Sequence, residues 1–492
     1  MGRYILAVDQ STQGTKGLLF DENGVLTARA DRPHRQIVND KGWVEHDPVE
    51  ILENTVGVCA DVLERSGAPS AQVAAFAISN QRETSLMWDK ATGRPIYNAI
   101  VWQCARAAEI CERPEIVSQA DTVRRKTGIN LSPYFPAAKL CWLMENVPEA
   151  KKLAAQGRLA CGTIDSWLIW NLTGNHWTDY SNASRTQLFN ITDLKWDAGL
   201  CKLFAIPVDS LPEVHMSDDN YGETDLNGVL DHKVPIHGVL GDSHGALFGQ
   251  DCRKPGQIKA TYGTGSSVMM HIGDRPKFSE NGLVTSLAWG IGGKVEYVFE
   301  GNLNYTGAVM TWLKKDVGLI STDMEATELA RRTNPNDRTY FVPAFTGLGA
   351  PYWDSRATGL LTGITRTTGR AEIARACLDC IAYQITDLVE LMRKDSGIPV
   401  DTLRVDGGPT ASDYLMQFQS DIAGASVQVP DLQELSGMGA AYAAGIAMGL
   451  YDGGQIFDHV KRVEYNPAMD QNTRSVLYTG WKSAVGQALK MI

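Results

Sequence analysis

The sequence predicts an α/β protein of two domains that face each other across a cleft. Its 492 residues exceed the roughly 250 to 300 residues at which a single hydrophobic core stops growing, so we expect two cores. Two similar openings, at Ile5 and at Gly256, each contain an apolar run, a loop of glycine and hydroxyl residues, and a second apolar run. Elsewhere strand-like and helix-like stretches alternate, which is typical of α/β architecture. We expect domains at 1–250 and 251–492.

The first opening predicts strand, loop, strand, turn and strand. Its segments are "ILAVDQ" and "TKGLLFDENGVLTARA", and Asn23-Gly24 in the second is the dipeptide most typical of a two-residue hairpin. The later "AQVAAFAISNQRETSLMWD" and "GRLACGTIDSWLIWNLTG" continue the alternation of strand and helix. The second opening, "GQIKATYGTGSSVMMHIGD", repeats the first, and "TLRVDGGPTASDYLMQFQSDIAG" predicts a strand, a glycine turn and a helix starting near Ala411.

Composition argues against nucleic-acid and membrane partners. The chain is 43% hydrophobic with a net charge of −11, so it offers no attraction to nucleic acid or an anionic membrane. No apolar run reaches membrane-spanning length, and "MGRYILAVDQ" lacks the apolar region of a signal peptide, so we expect a cytoplasmic protein without membrane insertion. Nine scattered cysteines suit reduced thiols, and the single CxxC, Cys377 to Cys380, lacks a second pair for zinc.

Three glycine-rich turns suit phosphate binding, because backbone N–H groups there can approach phosphate oxygens closely. They are Gln10–Thr15 with Lys16 behind it, Gly263–Gly265 with Ser266, and Gly407-Gly408. None matches the Walker pattern, and any one alone is more often a structural turn. Their distribution over both halves is what indicates a nucleotide. Asp9, before the first turn, is open to two interpretations, a turn residue or a metal ligand beside phosphates.

Several longer stretches together resemble one known family. "YFPAAKLCWLMEN" at 134–146 fits its first signature, and "GLLTGITRTTGRAEIARACLDCI" at 359–381 resembles its second. "GWVEHDP", "NQRETSLMWDKATGRPIYNAIVWQC", "TDYSNASRTQLFNI" and "FVPAFTGLGAPYWD" extend the similarity from Ile5 to about Trp481. On these residues the chain resembles the FGGY carbohydrate kinases, and within that family the glycerol kinases.

The resemblance implies two actin/Hsp70/hexokinase-like (ribonuclease H-like) domains with ATP and Mg²⁺ in the cleft. The implied activity is phosphorylation of a terminal hydroxyl of glycerol or a closely related short polyol, which gives glycerol 3-phosphate or the polyol phosphate plus ADP. The partners are then small molecules, the polyol and ATP. A homo-oligomer, either a dimer or a tetramer, is left open.

The resemblance also assigns roles to individual residues. Asp242 in "GVLGDSHGALFGQ" matches the catalytic base, whereas the residues alone favour a helix N-cap there. Asp9 matches the acid that holds Mg²⁺, and Asp242 is the second carboxylate on the metal side. The implied substrate-binding residues are Arg82, Glu83, Trp102, Tyr134, Asp242, Ser243 and Ser267. The implied ATP-binding residues are Ser11, Thr12, Lys16, Gly263, Thr264, Gly265, Gly307, Thr311, Gly407, Gly408 and Ser412.

Two pairs among these residues also allow a purely structural interpretation instead of a role in substrate binding. Arg82 and Glu83 match a pair that grips adjacent hydroxyls, although an adjacent Arg-Glu is more often a solvated surface pair. Trp102 and Tyr134 match an aromatic wall, although such residues also pack in cores. Lys16 stands where glycerol kinases often carry Arg, and an ammonium serves there as a point charge.

Two departures bear on the acceptor. Glycerol kinases typically follow the catalytic Asp with Gln and place Phe two residues beyond the Gly-Thr-Gly loop, but this chain has Ser243 and Ser267. Because both changes shorten the side chain, we expect a larger and more polar pocket. Glycerol therefore competes as the expected acceptor with four- or five-carbon polyols and ketoses such as erythritol, threitol, xylitol and xylulose.

Two further classes share the fold and need separate tests, since fold does not fix function. One is an ATPase switch of the actin or Hsp70 type, which has no use for a polyol clamp. The other is a kinase relative that only senses polyol. ATP turnover with and without a panel of polyols separates all three.

Overall fold

The structure is a computed structural model that describes residues 3–490. Its strands are β1 Tyr4–Gln10, β2 Gly14–Phe20, β3 Leu26–Pro33, β4 Ile37–Val38, β5 Val44–His46, β6 Val73–Asn80, β7 Ser85–Asp89, β8 Ala99–Ile100, β9 Leu159–Thr163, β10 Trp177–Asp179, β11 Phe189–Asn190, β12 Lys195–Trp196, β13 Glu213–His215, β14 Glu223–Thr224, β15 Val234–Gly241, β16 Ile258–Tyr262, β17 Ser266–Gly273, β18 Val284–Ile291, β19 Lys294–Leu303, β20 Tyr340–Val342, β21 Leu360–Thr362, β22 Thr402–Asp406, β23 Ser426–Pro430 and β24 Arg462–Tyr465. Its helices are α1 Pro48–Ser66, α2 Ala108–Cys111, α3 Pro114–Val117, α4 Ala120–Thr127, α5 Pro136–Asn146, α6 Pro148–Ala155, α7 Ile164–Thr173, α8 Tyr180–Ala183, α9 Ala198–Leu203, α10 Asp242–Gly249, α11 Gly307–Lys315, α12 Asp323–Ala330, α13 Arg370–Ser396, α14 Asp413–Ala423, α15 Leu435–Ala447 and α16 Gln471–Ala488. Short 3-10 turns span Ser70–Gln72, Val208–Ser210 and Gly408–Ala411.

Two large sheets confirm the α/β prediction. The N-terminal sheet has the order β14-β15-β6-β1-β2-β3, and the C-terminal sheet has the order β18-β19-β17-β16-β22-β23-β24. Each predicted opening is an antiparallel strand pair whose first strand also runs parallel to a later strand, β6 beside β1 and β22 beside β16. The second half therefore repeats the arrangement of the first. A five-stranded sheet, β4-β5-β8-β7-β9, extends the N-terminal half.

Strands β1 and β6 are almost wholly buried. Strands covered on both faces read as continuous apolar runs, and "YILAVDQ" and "VAAFAISN" fit that pattern. Both strands end in polar residues at the same edge of the sheet, where Asp9 pairs with Ser79. The loop edge of this sheet is thus where buried polar groups collect.

The turn after β2 differs from the two-residue hairpin that Asn23-Gly24 predicts. Phe20 pairs with Leu26, so the loop covers residues 21–25. The side chain of Asp21 accepts hydrogen bonds from the backbone N–H groups of Asn23 and Val25, both at 2.9 Å. The Asp21 N–H also donates to the Val25 carbonyl and the Gly24 N–H to the Asp21 carbonyl, both at 3.0 Å. Side-chain and backbone bonds of Asp21 together close a longer loop in place of the tight hairpin.

Helices α10 and α15 join the two halves. A hydrophobic cluster around them includes residues of β1, β2 and β6 and residues of β17, β18 and β19. A Cβ atom on Gly439 in α15 would overlap the carbonyl oxygen of Gly245 in α10, and one on Gly249 would overlap that of Leu435. The close approach of these backbones therefore requires glycine.

The helix that carries Cys377 and Cys380, α13, is as the sequence predicts, and both thiols are buried. Across residues 3–490, no helix is long and apolar enough to cross a membrane.

We expect Gly439→Ala to lower the free energy of unfolding by about 1–3 kcal/mol, because the added methyl forces α10 and α15 apart. The matched control is Gly486→Ala in α16, where a Cβ meets no atom within 4 Å and should be neutral or stabilising by up to about 1 kcal/mol. Chemical denaturation followed by circular dichroism measures both, and equal midpoints for the two variants would contradict the packing argument.

Candidate active site

A cleft of about 1580 Å³ lies between the halves and is lined by residues from both. Most residues that the sequence predicts for the site line this cleft. They are Asp9, Ser11, Lys16, Trp102, Tyr134, Asp242, Ser243, Gly263, Thr264, Gly265, Ser267, Gly407 and Gly408. The remaining predicted residues do not line the cleft; they are Thr12, Arg82, Glu83, Gly307, Thr311 and Ser412.

Asp242 lies where β15 ends and α10 begins, and it lines the cleft. The N-cap of α10 is Gly241, so the alternative that Asp242 caps this helix is wrong. The carboxylate accepts the Ser243 backbone N–H at 2.6 Å and lies 3.4 Å from Nε of Arg82. With about a third of its side chain exposed, Asp242 can reach a ligand in the cleft.

Asp9 is a buried carboxylate in an acidic neighbourhood. Burial raises its pKa to about 6, with Asp242 and Glu434 adding to the rise and Lys16 opposing it. Ser79 donates a hydrogen bond to Asp9 at 3.0 Å. A positive charge placed beside Asp9 and Asp242 would therefore relieve an unfavourable arrangement.

Lys16 is held by carboxylates from both halves. Its Nζ lies 2.7 Å from Glu434, just before α15, and 3.7 Å from Asp9. Burial lowers the pKa of Lys16, but Asp9 and Glu434 outweigh burial and leave the pKa above its usual value. Arg29 contacts the other oxygen of Glu434.

Arg82 and Glu83 lie in a buried charge network, not on the surface. Both Nη atoms of Arg82 donate to Glu300 of β19, at 3.1 and 2.8 Å. Arg185 lies 2.8 Å from Glu300 and donates from Nε to Glu83 at 2.6 Å. All four side chains are at most 6% exposed. Burial raises the pKa of Glu300, but Arg185 and Arg82 together outweigh burial and hold the pKa well below its usual value, so Glu300 stays ionised.

Glu83 also has a strained backbone, with φ at 61°. Such left-handed conformations are uncommon outside glycine and persist where the surroundings impose them. Here the loop between β6 and β7 is tied by Thr84 N–H to the Arg82 carbonyl at 2.8 Å and by the Ser85 hydroxyl to the Glu83 carbonyl at 2.9 Å. With Glu83 in this left-handed conformation, the consecutive side chains of Arg82 and Glu83 both lie in the buried network.

The aromatic rings of Trp102 and Tyr134 pack together, with centroids 5.4 Å apart. The indole N–H of Trp102 donates to the hydroxyl of Thr12 at 2.9 Å. Buried Lys139 donates to the carbonyl of Pro133 at 2.8 Å and to that of Tyr134. Hydrogen bonds to Trp102 and to the backbone at Tyr134 thus hold these two rings in the wall of the cleft.

The second and third glycine turns come together in the C-terminal half. The N–H of Gly307 donates to the Gly263 carbonyl at 2.9 Å. Gly407 has φ at 99°, and a Cβ there would overlap the Tyr262 carbonyl. The 3-10 turn Gly408–Ala411 precedes α14, which begins at Asp413, two residues after Ala411, where the sequence predicts a helix to start.

Four predicted nucleotide residues do not line the cleft, namely Gly307 and the three hydroxyl residues Thr12, Thr311 and Ser412. The Ser412 hydroxyl caps α14 through the Leu415 N–H at 3.2 Å and lies 2.7 Å from the Thr327 hydroxyl. Thr311 on α11 turns its hydroxyl toward the Gly307 carbonyl at 3.5 Å. These hydroxyls satisfy local groups, so their predicted contacts with ATP remain predictions.

The structure adds several residues to the site that the sequence does not predict. Glu300 and Arg185 hold the predicted clamp, Glu434 holds Lys16, and Asp406 and Lys259 line the cleft. Glu300 and Lys259 stand in strands whose other residues are ordinary β residues, so no local pattern marks them. Their partners lie far away in sequence, 218 residues in the case of Arg82 and Glu300.

Among residues 3–490, no group of three or more His, Cys, Asp or Glu side chains could hold a metal ion alone. Mg²⁺ commonly takes one or two protein carboxylates and completes its shell with water and phosphate oxygens. Asp9 and Asp242 fit that requirement, because both line the cleft and their two negative charges repel each other.

Comparison with known proteins gives one consistent family. The profile of the FGGY family of carbohydrate kinases matches residues 4–249 with its N-terminal domain and residues 258–448 with its C-terminal domain. The chain is 45% identical to the glycerol kinase of Caldanaerobacter subterraneus over 100% of this chain and 99% of that protein. It is 46% identical to glycerol kinase 2 of Thermotoga maritima over 99% of each.

Solved structures agree with the sequence comparison. A crystal structure of Plasmodium falciparum glycerol kinase with ADP superposes with a TM-score of 0.93 at 34% identity, over 100% of this chain and 99% of that one. A xylulose kinase from Lactobacillus acidophilus shares the fold, with a TM-score of 0.87 at 23% identity over 99% and 97%. With both domains matched along almost the whole chain, this protein belongs to the FGGY family of carbohydrate kinases.

Proposed function

We propose that this protein transfers the terminal phosphoryl group of ATP to a terminal hydroxyl of glycerol or a closely related short polyol. The observation that carries the proposal is the 3.4 Å approach of Arg82, which is buried next to the cleft, to Asp242, which lines the cleft together with the glycine turns of the C-terminal half. This arrangement brings together a cation that can bind hydroxyls, a carboxylate that can accept a proton, and backbone turns that can bind phosphate. Relatives named glycerol kinase, matched over their full length, support the same acceptor.

The acceptor end of the cleft suits a neutral polyol. Arg82 has N–H groups left after its two bonds to Glu300, and these can donate to one hydroxyl. Glu83 can accept from the neighbouring hydroxyl, while Tyr134 and Trp102 cover the carbon chain. Since both charges of the clamp already have buried partners, a neutral ligand does not leave a charge unpaired.

The chemical step needs a proton acceptor at the attacking hydroxyl. Asp242 takes that proton as the acceptor oxygen bonds to the γ-phosphorus and the bond from phosphorus to the ADP oxygen breaks. We assign Ser11, Thr12, Lys16, Gly263, Thr264, Gly265, Gly407 and Gly408 to the phosphates, and Gly307, Thr311 and Ser412 to the adenosine side. Asp9 and Asp242 would hold Mg²⁺, which neutralises phosphate charge when bound.

A four- or five-carbon polyol is the second candidate. The Ser267 hydroxyl is buried and lacks a hydrogen-bond partner among the residues described. It lies in β17 opposite Thr261 and Asn302, and all three line the cleft. A longer polyol could place an extra hydroxyl against this polar surface, where glycerol would leave water.

ATP turnover measured with and without glycerol, erythritol, threitol, xylitol and the corresponding ketoses tests the proposal. We expect ADP release to depend on one of these acceptors. Turnover that no acceptor stimulates would favour an ATPase switch instead.

We expect Asp242→Asn to lower kcat by about 10² or more, because the amide cannot accept the hydroxyl proton. Binding of ATP and polyol, measured by calorimetry, should stay nearly unchanged. Wild-type turnover in this variant would remove Asp242 from the mechanism.

We expect Glu300→Gln to raise KM for the polyol by about tenfold or more, because Arg82 loses the charged partner that orients it. KM for ATP should change much less. Glu296→Gln is the matched control, since Glu296 stands on the same strand but bonds Trp289 outside the cleft. Equal effects on the two KM values would indicate general destabilisation.

We expect Ser267→Phe to shift kcat/KM toward glycerol and away from longer polyols, because the ring fills the space beside the polar wall. The wild type should use at least one four- or five-carbon polyol as well as glycerol. A coupled assay of ADP release provides these ratios for both proteins. A wild-type preference for glycerol above about tenfold, roughly 1.4 kcal/mol in transition-state binding, would contradict the enlarged pocket.

A further inference from the structure

Lys259 is a buried cation that faces the cleft without a bonded partner. It stands in β16, between β17 and β22, and is 1% exposed. Even so, it is among the residues that line the cleft. Within residues 3–490 its ammonium makes no hydrogen bond and no ion pair within 4.0 Å. Lys16, the other lysine of the cleft, has Glu434 at 2.7 Å.

The charged groups around Lys259 are Asp406, Arg82, Asp242 and Glu300. Each carboxylate among them already has another partner. Asp406 accepts from Gln250 at 3.1 Å, Asp242 accepts the Ser243 N–H at 2.6 Å, and Glu300 is paired with two arginines. Burial lowers the pKa of Lys259, while Asp406, Asp242 and Glu300 oppose the shift and Arg82 adds to it.

An unpaired buried ammonium is unfavourable, and proteins keep such groups where a ligand or partner compensates the charge. β16 leads directly into the Gly263–Gly265 turn, and Thr261, two residues after Lys259, faces the same cleft. Lys259 therefore lines the same cleft as a turn suited to phosphate, with Asp242 among the charged groups that act on it. An anion is the ligand class that this position would take.

We infer that Lys259 contacts the terminal phosphoryl group of ATP and stays in contact with it during transfer. This inference rests on the proposed function. The ammonium donates hydrogen bonds to the phosphoryl oxygens and keeps its own proton, whereas the hydroxyl proton goes to Asp242. Because negative charge is spread over these oxygens in the transition state, a fixed cation there stabilises it.

Nucleotide binding tests the inference without relying on turnover. Calorimetry on the full chain, with Mg²⁺ present, compares ADP with a non-hydrolysable ATP analogue that carries the γ-phosphate. For Lys259→Met we expect the analogue to bind about tenfold more weakly or worse, and ADP to bind as in the wild type. Lys294→Met is the control for loss of a lysine charge, because Lys294 begins β19 and is exposed.

A structural role for Lys259 predicts a different result. If the ammonium only neutralises Asp406, Lys259→Met should lower stability, Asp406→Asn should restore it, and the analogue and ADP should be affected equally. That outcome, or unchanged binding of both nucleotides, would overturn the inference. If Lys259→Met does not fold, Lys259→Gln provides the same comparison with a polar side chain of similar length.

The two proposals fail in different ways. A wild type that no polyol stimulates would overturn the proposed function, even if Lys259→Met still discriminates between the two nucleotides. A wild type that phosphorylates a polyol, combined with a Lys259→Met variant that binds both nucleotides normally, would overturn only the assignment of Lys259.

Discussion

The carboxylate of Glu300 lies between the guanidinium groups of Arg82 and Arg185, and the site depends on this contact. Glu300 belongs to the C-terminal sheet, whereas both arginines belong to the N-terminal half. All three are buried, so removing any one would leave an uncompensated charge in a region of low dielectric. The orientation of Arg82, and with it the distance from Arg82 to Asp242, therefore requires the two halves to be in contact.

Backbone packing reinforces the same junction. α10 begins with Asp242, and its glycines allow α15 to approach at backbone distance. The residue that precedes α15 is Glu434, which pairs with Lys16 of the first loop. One pair of close helices thus positions both Asp242 and the carboxylate that holds Lys16, so a small shift between α10 and α15 would disturb both at once.

The sequence predicts the strands and glycine turns well, because apolar alternation and turn residues act over short ranges. It also predicts that Asp9, Asp242 and the Gly263–Gly265 turn share a cleft, through the family resemblance. Local patterns fail where the partner is distant. Arg82 and Glu83 read as a surface pair until Glu300 is placed beside them, and the Asn23-Gly24 turn is altered by the Asp21 side chain. Ser412 matches a family position, yet its hydroxyl is occupied by a helix cap.

The distribution of paired and unpaired cations separates the two ends of the cleft. Arg82 and Arg185 are matched by Glu300 and Glu83, so the end they form has little net charge and suits a neutral polyol. Lys259 has no bonded partner, and Lys16 is shared between carboxylates that a bound metal ion would compete for. Because an anion gains most from a cation that is not already neutralised, the proposed function has the phosphates of ATP beside Lys259 and Lys16 and the polyol beside Arg82 and Glu83. The same chain can therefore carry a net charge of −11 and still orient an anionic donor against a neutral acceptor.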